Sequence, residues 1–154
     1  MLPAALASVL AENADEPNAR LLADALAGRR FASTSALAAA IHAALPRLAR
    51  DDRDLCLRRV FQALRIAVND EFSALETFLR HLHACLNPGG RVAVLTFHSG
   101  EDRRVKRAFA AGWRDGLYAE IAKEVIRPTA DERHANPRSA PAKLRWARKA
   151  GGGS

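Results

Sequence analysis

The sequence predicts a helix-rich α/β protein, and three observations carry that expectation. Alanine and leucine dominate a chain that is 49% hydrophobic with a single tyrosine, a balance that favours helices. Apolar residues recur at spacings of three and four as far as Leu86. Beyond Leu86 the pattern changes to short apolar runs bounded by turn signals, which is how strands read.

Residues 3–50 read as three short helices. Leu2, Leu6, Val9 and Leu10 mark one apolar stripe. Leu21, Leu22, Ala25 and Leu26 mark a second, which stops at Gly28. Ser33 or Thr34 can cap a third, which carries Leu37, Ile41 and Leu45 before Pro46. Their alanine-filled interiors suggest a compact helical lobe, residues 1–50, with no constellation that implies chemistry.

A second region, residues 51–150, opens with Asp51, Asp52 and Asp54, and acidic groups suit the positive end of a helix dipole. Phe61, Leu64, Val68, Phe72, Leu75, Leu79, Leu82 and Leu86 form one stripe, so a single helix is expected to run unbroken to Leu86. Asn87-Pro88-Gly89-Gly90 ends it. Residues 92–97 are almost continuously apolar, the pattern of a strand buried on both faces of a parallel sheet.

Ser99-Gly100-Glu101-Asp102 has capping-box spacing and opens a helix carrying Val105 and Phe109. Residues 123–127 read as a weak strand. Thr129-Ala130-Asp131-Glu132 repeats the capping spacing for one helical turn. Residues 143–148 alternate charged and apolar, which predicts a third strand. Three strands are few for a free-standing α/β domain. Residues 151–154, Gly-Gly-Gly-Ser, are expected to be a flexible tail.

The net charge is +7, and residues 111–154 hold nine basic against five acidic side chains. A basic surface attracts polyanions, RNA first among them, although a basic domain without such a partner has the same composition. Cys56 and Cys85 are not metal-spaced and fall on predicted helices, as buried thiols of a reducing compartment would. The apolar start lacks a basic leader and meets Glu12 early, and no run approaches a membrane span. A cytoplasmic location with no membrane contact is therefore expected.

His98 and Ser99 sit where a strand stops, and open α/β sheets bind ligands at strand carboxyl ends. Contact with substrate or cofactor is one reading; Ser99 as a helix cap with His98 packing locally is the other. Asn69 and Asp70 are expected to approach the strand ends, while Glu71 suits a solvated face. Arg103, Arg104, Lys106 and Arg107 form a basic cluster, read either as a solvated helix face or as phosphate contacts. Asn136-Pro137-Arg138-Ser139 is a turn signal with a cation in it, and Trp146 reads as core. There is no nucleophile elbow and no zinc pattern, and no glycine-rich loop follows an early strand. No residue of this chain is therefore assigned to cofactor binding or to a metal.

Three stretches resemble the MraW/RsmH family of S-adenosylmethionine-dependent methyltransferases: FQALRIAVNDE at 61–71, NPGGRVAVLTFHSGEDRRVK at 87–106 and NPRSAPAKLR at 136–145. Residues 2–45 are similar to the later part of the helical lobe inserted in that family's Rossmann-like domain. The resemblance implies a helical lobe packed on a partial Rossmann-like sheet without its amino-terminal strands. It implies methyl transfer to the exocyclic N4 of a cytosine in small-subunit ribosomal RNA. For that reaction, position in the chain and residue type put Asn69, His98 and Ser99 on the target-base side, with Asp70 supporting, and Arg103, Arg104, Lys106, Arg107, Arg138 and Lys143 on phosphates.

The chain departs from the family where the glycine-rich cofactor loop and the first four strands would lie. Gly100 also stands in place of the usual leucine, and Ala140-Pro141 in place of an Arg-Ser pair. The expectation is a carboxyl-terminal half that is inactive alone. It would bind no S-adenosylmethionine by itself and would pair through its open strand edge with an amino-terminal half or a second copy. The alternative is a non-catalytic module that binds RNA or the ribosomal subunit.

Overall fold

The computed structural model describes residues 1–151, and residues 152–154 of the expected tail lie outside them. The chain forms two compact units, Met1–Glu71 and a second that starts at Phe72. Neither unit has a described helix long and apolar enough to cross a membrane.

The first unit consists of α1 (Pro3–Ala14), α2 (Ala19–Leu26), α3 (Thr34–Ala44) and α4 (Arg50–Asn69). Pro3 starts α1, where a missing N–H is harmless. Gly28 follows α2 at φ 75°, and the Ser33 hydroxyl caps α3 by accepting from the Ala36 N–H at 3.1 Å. Leu10, Leu22, Ile41, Leu45 and Val60 close the core. Asn13 ties α1 to α4 through a 3.1 Å hydrogen bond to the Ala63 carbonyl.

The expected unbroken helix to Leu86 is broken at Asp70. That residue adopts φ 51° and ψ 38°, and its N–H donates to the Ile66 carbonyl as a left-handed cap. Aspartate tolerates this region because its short side chain can hydrogen-bond locally. The chain restarts as α5 (Glu71–His81) and ends in a 3-10 turn, Leu82–Cys85. Val68, expected on the apolar stripe, is 83% exposed. Cys56 is buried on α4, but Cys85 lies exposed in the 3-10 turn, contrary to expectation.

The second unit carries a sheet of β1 (Arg91–Thr96), β2 (Tyr118–Ile121) and β3 (Lys143–Lys149), in the order β1-β3-β2. β3 runs antiparallel to both neighbours. The expected parallel strand buried on both faces is thereby corrected. β1 pairs with the returning strand β3, and its residues alternate between half-buried and exposed, with Leu95 52% exposed. Val92 and Val94 pack with Val105 and Phe109 of α6 (Ser99–Arg114).

The strand expected at 123–127 is displaced. Gly116, at φ 74°, turns the chain straight after α6, so pairing begins at Tyr118 and only Ile126 bridges to Leu144. The Tyr118 ring packs edge-on to Phe109 at 5.6 Å. A Cβ on Gly112 would meet that ring at 2.6 Å, which is why α6 carries glycine there. Thr129 caps α7 (Ala130–Ala135) through its hydroxyl, as its spacing predicts.

Candidate functional site at the β1–α6 junction

β1 ends on Thr96, which is buried and donates its hydroxyl to the Lys143 carbonyl at 3.2 Å. The chain then passes Phe97 and reaches His98, whose extended backbone (φ −141°) makes it the N-cap of α6. The His98 Nδ1 accepts from the Glu101 N–H at 3.4 Å. In return the Glu101 Oε2 accepts from the N–H groups of Phe97 (2.9 Å) and His98 (3.4 Å). This is a reciprocal capping box. It lies one residue earlier than the expected Ser99–Asp102 frame, because the ring nitrogen of His98 reaches the N–H that a serine cap would take. Ser99 is the first residue inside α6.

With Nδ1 accepting, the network assigns the ring proton of neutral His98 to Nε2. Nε2 is buried without an aligned hydrogen-bond partner. It lies 3.3 Å from the Glu101 Oε1, near enough for charge attraction if the ring is protonated but not aligned as a hydrogen bond. Glu101 itself is held at a pKa of about 2, chiefly by the His98 side chain 3.3 Å from its carboxylate, against burial and with help from the Phe97 N–H. It is a carboxylate throughout the neutral range and too weak a base to draw a proton from an aryl amine.

Behind the junction, Phe72 at the start of α5 lies against His98, ring centroids 5.8 Å apart. The Arg104 guanidinium sits 3.4 Å from the centroid of the Phe72 ring. Arg104 also donates to Glu76 at 2.8 Å and to the Gly100 carbonyl at 3.2 Å. A Cβ on Gly100 would come within 2.6 Å of the Phe72 ring, so the aromatic occupies the space a side chain at 100 would need. Asp102 takes two hydrogen bonds from the Arg145 fork, 2.7 and 3.2 Å long, with Lys143 Nζ at 4.0 Å. Burial works to raise the Asp102 pKa, but Arg145 first, then Lys143 and Arg127, outweigh it and hold the group low.

The structure thus brings His98 and Ser99 together at the strand end, in the second unit. Asn69 and Asp70 close the first unit; Asn69 is exposed and donates to the Glu71 Oε1 at 3.2 Å. Glu71, read as a solvated side chain, in fact accepts the Arg65 fork at 2.9 and 3.1 Å. Of the cations expected on phosphates, Lys106, Arg107 and Arg138 are exposed and Arg103 is half-buried. Arg104 is committed to Phe72 and Glu76, and Lys143 leans on Asp102. Phe72 and Arg145 are the residues sequence reasoning passed over. The alternation of β3 pointed the other way: it read Trp146 as core, whereas Arg145 and Ala147 are the buried residues and Trp146 is half-buried, because the Asp102 carboxylate supplies the partner that a buried cation requires.

No group of three or more His, Cys, Asp or Glu among the described residues could hold a metal ion. The β1–α6 junction itself does not fit S-adenosylmethionine. β1 leads into α6 without a glycine-rich turn, and the N–H groups of Phe97, His98 and Glu101 are satisfied within the capping box.

Residues 2–150 match the MraW methylase family. The chain is 44% identical over 154 residues to ribosomal RNA small subunit methyltransferase H 1 of Agathobacter rectalis, covering 94% of this chain and 44% of that protein. It is 48% identical over 155 residues to ribosomal RNA small subunit methyltransferase H 2 of Alkaliphilus metalliredigens, with the same coverage of 94% and 44%. Against ribosomal RNA small subunit methyltransferase H of Crocosphaera subtropica the identity is 44% over 146 residues, covering 94% and 45%. The chain spans less than half the length of these curated relatives.

Proposed function

The chain belongs to the MraW methylase family, and on that footing we propose that it forms the RNA-facing part of a small-subunit ribosomal RNA methyltransferase of the cytoplasm. The reaction is transfer of a methyl group from S-adenosylmethionine to the N4 amine of a cytosine. We assign that cofactor to the segment of a complete family enzyme that this chain does not span, since the β1–α6 junction has no glycine-rich turn to hold it. The residues here supply a helical lobe and the edge of a Rossmann-like sheet, and they are inactive alone.

The observation that carries this reading is the buried, unaligned Nε2 of His98 at a strand carboxyl end. Its acidic neighbour, the Glu101 Oε1 at 3.3 Å, is off the hydrogen-bond axis, which leaves the donor to seek an aligned acceptor, and a cytosine ring presents one, N3, beside its amine. The amine's lone pair is delocalised into the ring, so orientation is the main contribution the protein can make. His98 and Ser99 hold the target base; Asn69, with Asp70 supporting, is assigned to the same role by its place in the motif. Lys106, Arg107 and Arg138 neutralise phosphates, with Arg103, Arg104 and Lys143 as further members of the cationic surface.

β1 is an edge strand of the described sheet, with Leu95 52% exposed and Phe97, just past its end, exposed to the same degree. Open apolar edges recruit further strands, and we assign this one to the remaining strands of the methyltransferase sheet, in cis or from a separate amino-terminal half, or to a second copy of the chain. A second reading, a non-catalytic RNA-binding module, is favoured by the net charge of +7 together with the poor fit to the cofactor.

The test is made in a complete family enzyme. His98→Ala and Asn69→Ala should each lower turnover and RNA affinity, and unchanged turnover and affinity in both would remove these residues from the site. Titration of S-adenosylmethionine into the present chain by calorimetry separates cofactor binding from RNA binding, and it should give no heat of binding.

A further inference from the structure

α6 and the edge strand β2 enclose a cleft of about 360 Å³. Phe109, Ala110 and Ile121 floor it, and its wall is Trp113, whose side chain is large, apolar and 55% exposed. Lys106 and Lys123, both exposed, stand on its rim. Lys106, Ala110 and Trp113 follow each other by four and three residues, so one face of α6 carries a cation and then an aromatic wall. The carboxylate on the rim, Glu120, is 3.3 Å from the Arg148 Nε and is neutralised there. Arg145, which backs the cleft, is locked on Asp102.

An exposed tryptophan beside an apolar cleft is a stacking platform, and flanking lysines supply the charge that a nucleotide's phosphate requires. The volume is at the lower end of ligand clefts and suits a single planar group. We propose that the α6–β2 cleft is a second nucleic-acid contact, in which one base of single-stranded RNA stacks on Trp113 while Lys106 and Lys123 hold the phosphates on either side. The contact shares Lys106 with the cationic surface assigned above but does not involve His98, and it reads no sequence, because every base has a stacking face. It extends the RNA-directed reading above and rests on it.

The test is fluorescence anisotropy of a labelled single-stranded RNA decamer titrated with the chain at several salt concentrations. Trp113→Ala should weaken binding about tenfold, and Trp113→Phe should retain most of the affinity, as one lost stack implies. Lys106→Gln with Lys123→Gln should flatten the log–log salt slope by about 1.4, the value for two contacts on a single strand. Unchanged thermal melting in each variant shows that the fold is kept, as expected for exposed side chains. If these variants bind as the parent does while Arg107→Gln with Arg138→Gln weakens binding, the RNA lies elsewhere: the cleft proposal falls and the RNA-directed function stands. If the parent chain binds no RNA at any salt concentration, both fall. If Trp113→Ala leaves RNA binding intact but dissolves a dimer seen by gel filtration, the cleft is a protein interface and the proposal is overturned.

Discussion

Asp102 and Arg145 face each other through two hydrogen bonds of 2.7 and 3.2 Å, joining the first turn of α6 to the central strand β3. Their side chains are only 14% and 10% exposed. The pair fixes the helix start on the sheet and therefore fixes where His98 leaves β1. Removing one partner leaves a nearly buried charge unpaired. Asp102→Asn and Arg145→Met should each destabilise the second unit by about 3 kcal/mol in urea unfolding. The double variant should lose less than the sum of the two. Additive losses would show that the pair contributes no coupling.

Glu101 gives a pH dependence with a definite sign. Its folded pKa lies below its unfolded one, at about 2, so the stabilisation is fully present above the ordinary carboxylate range. It is lost as pH falls toward about 2, because the unfolded chain takes up the proton first. Asp102, also held low, adds to the same acid limb. Glu101→Gln should flatten the stability profile below the ordinary carboxylate pKa in a series of melts. A profile identical to that of the parent would mean that the capping box is absent in solution.

His98 has two separable duties, and asparagine divides them. Asparagine is a good N-cap and alanine is not, so His98→Ala should cost about 1 kcal/mol in stability and His98→Asn much less. In a complete family enzyme carrying His98→Asn, a fold of parental stability with depressed turnover would assign the ring to the target base. Parental turnover would leave His98 as a cap alone.

Gly100 and Phe72 should prove coupled. A Cβ at 100 would come within 2.6 Å of the Phe72 ring, so Gly100→Ala should destabilise by about 1–3 kcal/mol through overpacking. Combining Gly100→Leu with Phe72→Ala should recover part of the loss suffered by Gly100→Leu alone, read by thermal melting. No recovery would show that the backbone at 100, and not the ring, sets the limit.

These relationships mark how far the sequence was legible. The helical lobe was readable because its signals are local: the Ser33 cap, the stop at Gly28 and the period of three and four. The same holds for the Thr129 cap. Asp70 was hidden because its left-handed turn carries no glycine and the apolar period continues across it. β1 read as a parallel strand because its run is apolar throughout, although its partner β3 was itself legible from its alternation. β2 was placed too late because the turn at Gly116 was passed over. At the site, His98 and Ser99 were correctly placed at a strand end. The capping duty of His98 was not foreseen, since Ser99 has the commoner capping side chain. The pairing of Asp102 with Arg145 lies 43 residues apart in sequence and leaves no local trace.

The most direct measurement joins this chain to the remaining segment of the Alkaliphilus metalliredigens relative, which it matches at 48% identity. The fused protein is incubated with small ribosomal subunits and methyl-labelled S-adenosylmethionine. The account predicts label on a cytosine of the small-subunit RNA with the fusion and none with the chain alone. A fusion that folds and binds the labelled cofactor yet leaves the RNA unlabelled would contradict it, as would transfer by the chain alone.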